Sequence, residues 1–351
     1  MDSTRKIYIF LSVAALVLVL IYAQAIILPF IISILFWIMI RIIRRLFLRI
    51  GFMNRLPVAV VTILSTIVFL SLATLIIILL SANIHQLSQA LPGYEKNIDK
   101  ITASVNNTFG IDAMSMLSEL VRDARFTSIL TQTISAITGL FGKSFLVMLY
   151  LLFLLLEERT FPSKLTSMYP DKSKREQMGV MIKKIDSSIS YYLGIKTMIS
   201  LMTGAASFIV LLIIGVEAPL FWAFLIFILN YIPTIGSLVA TLFPTIFALF
   251  QFGEFTPALL IFTIVSGIQL LFGNLIEPRI MGNSLNISPL VVFLTLAMWG
   301  MIWGIAGMLL SVPITVMLII IMSEFEGTRP VAILLSRRGV IAKSGRIQSS
   351  E

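Results

Sequence analysis

The sequence predicts an all-α polytopic membrane protein of about eight transmembrane helices, with broken or re-entrant helices in its second half. Three observations predict it. Hydrophobic residues make up 58% of the 351 and charged residues only 12%, against roughly 25% charge in an ordinary soluble domain. The apolar residues gather in runs, and roughly 20 residues of helix are enough to cross a hydrocarbon layer. After Glu217 the runs are repeatedly interrupted by Gly, Pro and Asn. A soluble chain of this length buries a large core, but it also needs polar cover. A mean hydropathy of +1.01 leaves too little of it, so lipid is the solvent for much of the surface.

The first 80 residues hold three apolar runs, Ile7 to Ala23, Ile26 to Ile40 and Pro57 to Leu80. Arg5 and Lys6 before the first run resemble the start of a signal peptide. The run is long and passes almost directly into the second, which favours a retained span. Pro29 falls in the first turn of the second helix, where its missing amide hydrogen costs little. Residues 81–140 mix polar residues with Leu, Ile, Val and Met at helical spacing. They are expected to form an extracytoplasmic segment of amphipathic helices. A fourth span covers 141–156. Residues 157–194 follow as a basic cytoplasmic helical segment. Residues 195–323 form the C-terminal membrane region, and 324–351 a basic tail.

Charge sets the expected orientation. Basic residues are retained on the cytoplasmic side. With the N-terminus inside, the inner segments collect Arg5 and Lys6, the five arginines of 41–55, the seven basic residues of 157–190, Lys196, and five in the tail. That is 20 of the 26 lysines and arginines. Both termini are therefore expected in the cytoplasm.

Several function classes are excluded. The net charge of +9 comes from short clusters between apolar runs and carries no nucleic-acid motif. With no cysteine and His85 as the only histidine, neither a metal site nor a cofactor is expected. No phosphate-binding GxxxxGK[ST] loop, HExxH pair or GxSxG elbow is present, so no enzyme activity or ATP hydrolysis is expected.

The second half carries the candidate site. Unpaired backbone groups are costly in lipid, so non-helical backbone at membrane depth belongs inside protein or beside water. The first break is Asn230 to Gly236. Pro233 removes a donor there, Gly236 permits close approach, and Asn230 and Tyr231 offer hydrogen bonds to a solute. The second is Gly273 to Gly282, with Asn274, Glu277, Pro278 and Arg279. Charges at such depth favour a partner or an aqueous lining. Glu277 and Arg279 are candidates to pair with each other or across the bundle, and Glu277 is a candidate carrier of a coupling proton. Gln269 leads into this stretch and is expected to face the same path. The third break contains Gly300, Gly304 and Gly307, whose small-residue face points to helix packing.

These stretches, in this order and spacing, resemble the AI-2E family of transporters. The matching elements are Asn230-Tyr231-Ile232-Pro233-Thr234-Ile235-Gly236 with Pro244, then Gly273 through Glu277-Pro278-Arg279 to Gly282, Ser288-Pro289, and Trp299-Gly300 through Gly304 and Gly307 to Pro313. Pro233, Gly236, Glu277, Pro278, Arg279, Gly304 and Gly307 fall on the recurring pattern. The resemblance covers nearly the whole chain. It implies a multi-pass protein of the bacterial inner membrane, forming a homo-oligomer, a pentamer in the family. It implies export of a small polar solute such as autoinducer-2, without ATP and with a proton gradient as a possible drive. Other members implied by the resemblance exchange sodium or lithium ions for protons. A non-transporting scaffold that binds partners through 81–140 is the competing class. Membrane lipids are the remaining expected partner.

Overall fold

The computed structural model describes residues 3–90, 97, 101, 144–282, 286–337 and 339. Most of the expected amphipathic segment, 81–140, therefore lies outside the described residues. Among those described, regular structure is helical, apart from one isolated antiparallel bridge between Ile287 and Ser336.

The elements are α1 (Ser3–Tyr22), α2 (Gln24–Phe47), a 3-10 turn (Met53–Arg55), α3 (Val58–Ala90), α4 (Ser144–Glu157), α5 (Phe161–Met168) and α6 (Lys172–Ile214). They continue with α7 (Pro219–Leu229), α8 (Ile235–Phe252), α9 (Phe255–Gln269), a π-helix (Leu270–Ile276), α10 (Glu277–Met281), α11 (Pro289–Glu324) and α12 (Arg329–Leu335). Six helices among the described residues are long and apolar enough to cross a membrane: Gln24–Phe47, Val58–Asn83, Lys172–Ile214, Ile235–Phe252, Phe255–Met281 and Pro289–Glu324. α1, several of whose side chains lie outside the described set, is not among the six. Of the about eight spans expected, six are thus clear among the described residues. One apolar segment is short: the 11 residues of α7 make about 16 Å of helix, against a hydrocarbon layer of about 30 Å; α4 is described from Ser144 onward.

The chain forms two compact units. The first comprises Met1–Ser65, Leu140–Tyr192 and Asn283–Glu351; the second comprises Thr66–Gly139 and Leu193–Gly282. α3 and α6 contribute residues to both.

In the first unit α2 packs along α4, where the rings of Phe30 and Tyr150 meet edge to face with centroids 5.5 Å apart. Arg41, Arg44 and Arg45 belong to the last turns of α2 rather than to a loop. They gather two acids, Glu158 and Asp186. Arg41 donates to both oxygens of Asp186 at 2.7 and 3.2 Å, and its guanidinium lies 4.6 Å from the Trp37 ring centre. Arg44 donates to Glu158 at 2.5 Å and to Thr62 at 2.9 Å, and Trp37 Nε1 donates to the other Glu158 oxygen at 3.0 Å. Burial by itself would raise the Glu158 pKa. The hydrogen bonds from Arg44 and Trp37 and the charges of Arg44 and Arg41 outweigh that and hold it below the ordinary glutamate value.

α11 is not one straight rod. Gly304 sits at φ 62°, ψ −143°, a conformation open only to glycine, and divides α11 into two limbs. A Cβ on Gly307 would overlap the Trp299 carbonyl oxygen, and one on Gly300 would press on the Met308 side chain. Residues eight apart on a straight helix are about 12 Å apart along its axis. The limbs therefore fold back on each other. Trp299, Trp303, Leu310 and Ile314 form one buried cluster, packed by Leu20 of α1 and by Ile27, Leu28, Ile31 and Leu35 of α2. Trp303 Nε1 donates to the Leu20 carbonyl at 3.0 Å. The packing role expected of Gly300 and Gly307 has its contacts here, while Gly304 supplies the turn.

Candidate functional site

The second unit is built on a helical hairpin. α7 starts at Pro219, after Ala218 has turned the chain in a left-handed conformation (φ 51°). It runs back along α6: a Cβ on Gly204 would touch the Ala223 carbonyl and the Phe227 side chain. After 11 residues it stops, well short of a full crossing. The tip, Asn230 to Thr234, is closed by backbone bonds from Tyr231 to Ile228 (3.1 Å), from Ile232 to Leu229 (2.9 Å) and from Gly236 to Ile232 (3.2 Å). α8 then returns, and at its far end Gln251 donates to the Gly215 carbonyl and accepts from the Glu217 amide. α7–α8 is thus a helical hairpin that turns at the first break, Asn230 to Gly236.

Two residues make this tip possible and one strains it. Pro233 cannot continue α7. Gly236 is buried, and a Cβ there would overlap the Leu229 carbonyl. Thr234 holds φ 57°, an outlier for a β-branched residue, which costs about 1–3 kcal/mol.

α6 presents polar groups to the tip. Lys196, Ser200, Thr203 and Ser207 are all buried and recur at spacings of four, three and four, which is one face of a helix. Asn230 Nδ2 donates to Ser200 Oγ at 3.2 Å, and the hydroxyls of Tyr231 and Thr197 share a hydrogen bond of 2.7 Å. Lys196 Nζ donates to both oxygens of Glu277, at 2.6 and 2.8 Å, with the ammonium side chain 6% and the carboxylate 16% exposed. Asn230, Tyr231 and Glu277 are thereby joined through adjacent turns of α6.

The second expected break takes a different form. Gly273 to Gly282 does not interrupt the helix; Phe255–Met281 is one continuous run. Its turns widen to π-helix over Leu270–Ile276, and the Glu277 amide bonds to the Phe272 carbonyl, five residues back. Pro278 explains the widening: it offers no amide hydrogen, and its ring crowds the carbonyl four residues earlier. π turns of this kind concentrate at functional sites. Glu277 points inward, whereas Asn274, Pro278 and Arg279 are exposed on the outside of this unit. Glu277 does not pair with Arg279, because residues two apart on a helix face different ways.

Residues 9–327 match the family described as AI-2E family transporter. The chain belongs to that family. It is 37% identical over 287 residues to the AI-2 transport protein TqsA of Escherichia coli (strain K12), covering 80% of this chain and 82% of TqsA. It is 31% identical over 335 residues to a second protein of that strain, named "Putative transport protein YhhT", covering 93% and 94% of the two chains. This AI-2E member is therefore a multi-pass secondary transporter of a small polar solute, and not an enzyme.

Sequence reasoning missed the polar face of α6. Lys196 counted only as one more basic residue at the cytoplasmic end of a span, and Ser200, Thr203 and Ser207 went unremarked. The signal was there: a run with polar residues at a strict helical period turns one polar face inward. Gln269, expected on the path, lies on the inward face of α9 with Ala258, Ile261 and Val265.

Proposed function

We propose that this chain exports a small polar molecule of the autoinducer-2 kind across the bacterial inner membrane, along a path lined by the α7–α8 tip and the polar face of α6. The observation that carries this reading is the pair of buried Lys196 with part-buried Glu277 beside the tip. A buried ion pair is weak evidence for stability, since its desolvation cost rivals its attraction. Charges inside a membrane domain mark substrate or proton pathways by default. The similarity to TqsA, an AI-2 transport protein, supports the solute class.

In this reading Asn230, Tyr231 and Gln269 present hydrogen-bonding groups to the solute. Pro233 and Gly236 shape the tip, and Pro278 sets the facing of Glu277. Asn274 and Arg279, on the outside of their helix, face a neighbouring subunit of a homo-oligomer or the lipid. Both termini lie in the cytoplasm, as the distribution of basic residues favours. Glu277 takes up a proton when Lys196 releases it, which couples export to the proton gradient.

The nearest alternative is exchange of sodium or lithium for protons, with Glu277 holding the cation in place of Lys196. Flux in proteoliposomes separates the two. Export predicts movement of the neutral solute, accelerated by an imposed proton gradient and no longer accelerated in Glu277→Gln. A gradient effect that persists in a folded Glu277→Gln protein removes Glu277 as the carrier. Lithium movement without solute movement favours the exchanger.

A further inference from the structure

Three polar side chains in the interior of the second unit end without partners. Ser207 and Trp222 are fully buried and Gln269 is 7% exposed. Ser207 Oγ, Trp222 Nε1 and both Gln269 side-chain heteroatoms have no hydrogen-bond partner among the described residues. Buried polar atoms are nearly always bonded, so four such atoms in one compact unit need a reason.

Helix register places the three at one level. Gly204 of α6 lies against Ala223 of α7. Ser207 is one turn beyond Gly204 on the same face, and Trp222 is the neighbour of Ala223. α9 starts beyond Gly253, and the end of α8 before that turn is tied by Gln251 to Gly215 at the end of α6. α9 therefore runs antiparallel to α6. The Lys196–Glu277 pair fixes their register. Gln269, eight residues before Glu277, is about 12 Å from it along the axis. The same distance along α6 from Lys196 reaches Gly204. All three groups thus fall within about one helical turn of the Gly204 level. The π turns also matter here. On a regular helix residues eight apart differ by about 80° in facing; the extra residue accommodated by the wider turns brings Gln269 and Glu277 back toward one face.

We propose that Ser207, Trp222 and Gln269 form one binding subsite for an uncharged, hydroxyl-bearing solute, about two helical turns from the Lys196–Glu277 pair. The inference rests on the reading that the second unit carries the path. The chemistry of the three groups sets the ligand class. The indole N–H only donates, whereas the serine hydroxyl and the carboxamide each donate and accept. A guest must accept from Trp222 and donate to the Gln269 carbonyl, and hydroxyl groups do both. The three residues carry no formal charge. The one ion pair nearby is internally neutral, with both carboxylate oxygens already bound to Lys196. A bare cation would find two oxygens at most in place of its water shell. Trp222 itself is held rigidly, its rings 5.0 Å from Phe221 and 4.9 Å from Phe247, which keeps the N–H aimed at one place.

The test uses the full chain in nanodiscs, labelled with 5-fluorotryptophan. The four tryptophans give separate fluorine resonances, and Trp222→Phe assigns the one of interest. The neutral tetrol erythritol and lithium chloride serve as probes. Erythritol is expected to shift the Trp222 resonance saturably, and lithium chloride to leave it in place. Gln269→Leu, or Gln269→Met where the first variant folds poorly, is expected to raise the half-saturating erythritol concentration at least tenfold. A Trp222 resonance in the unsubstituted protein that ignores erythritol overturns the subsite and leaves a water-filled or dry interior. An equal response to lithium overturns the neutral ligand class. Solute flux is measured in parallel with Lys196→Met. If that variant abolishes flux while Trp222 is silent to erythritol, the path stands and the subsite falls. If Lys196→Met leaves flux intact, the path reading falls by itself.

Discussion

Lys196 and Glu277 stand 81 positions apart in sequence, and a single ammonium caps both oxygens of the carboxylate, at 2.6 and 2.8 Å. Removing one partner of such a pair strands a charge away from water, at about 3–5 kcal/mol, whereas replacing both with apolar groups is often neutral. Lys196→Met is thus expected to lower the thermal unfolding temperature sharply in detergent. Lys196→Met with Glu277→Leu is expected to recover most of that loss. Solute flux should stay absent in both. A double variant that transports at the unsubstituted rate would reduce the pair to a packing element.

The close approaches at Gly236 and Gly307 give a second, independent test. At both positions a methyl group would overlap a carbonyl oxygen of the facing helix, that of Leu229 or of Trp299. Backbone cannot swing aside as a side chain can, so the hairpin limbs must separate. Forcing extra methylenes into packed interiors costs about 1–3 kcal/mol, occasionally more. Gly236→Ala and Gly307→Ala are each expected at or above that range in denaturant unfolding. Gly267, near the middle of the continuous Phe255–Met281 run, has open space around its would-be Cβ. Gly267→Ala should be harmless, or stabilising by up to about 1 kcal/mol through helix propensity. Equal effects at all three positions would mean that the limbs are not in contact.

Much of this was legible in the sequence, for specific reasons. Pro233 and Gly236 announce the α7–α8 tip because each has a backbone property no other residue shares. The glycines at 300, 304 and 307 announce the turn in α11 similarly, although only coordinates show that Gly304 turns the chain while Gly307 receives a carbonyl. The stretch around Pro278 misleads. Gly273, Pro278 and Gly282 suggest a break, yet a helix has a cheaper response to one proline, which is to widen its turns. Hydropathy does not distinguish the two. The pairing of Glu277 was also hidden, because its partner lies on another helix and the local basic residue, Arg279, faces outward. Six spans are clear among the described residues; α7 is apolar throughout but only 11 residues long, and composition reports apolarity more clearly than length.

The arginine cluster of the first unit makes the fold sensitive to acid. Burial opposes the charge on Glu158, but Arg44, Trp37 and Arg41 together hold its pKa below the ordinary glutamate value. A carboxylate with a depressed folded-state pKa stabilises the fold fully above its unfolded pKa. That contribution is lost as the pH falls through the lower folded value. The unfolding temperature should therefore be flat from neutral pH down to the ordinary glutamate range and should drop below it. Glu158→Gln should start lower at neutral pH and show a shallower acid decline. The Glu158 side chain is 22% exposed, and salt screens exposed charges most, so the effect should shrink but persist at high ionic strength. An acid decline as steep in the variant as in the parent would move the sensitivity to other carboxylates.

Pro278 connects local helix chemistry to transport. It sits just after the π turns and one residue past Glu277, which bonds five residues back to Phe272. Pro278→Ala restores an amide hydrogen and removes the ring that crowds the preceding turn. In a helix interior that exchange alone favours the helix by about 3 kcal/mol. A run that tightens to regular α geometry, however, rotates Glu277 relative to Gln269 by about 100°, the angle of one residue. The carboxylate then no longer meets Lys196 without strain. The variant is expected to gain much less stability than its helix propensity promises, and to lose solute flux at least tenfold. Adding Gly236→Ala separates the causes: its cost should add independently, because the tip bonds to Thr197 and Ser200 whereas the π turns bond within their own helix. A Pro278→Ala protein with higher stability and undiminished flux would show that the widened turns are a by-product of proline, and that the facing of Glu277 is set by Lys196 alone.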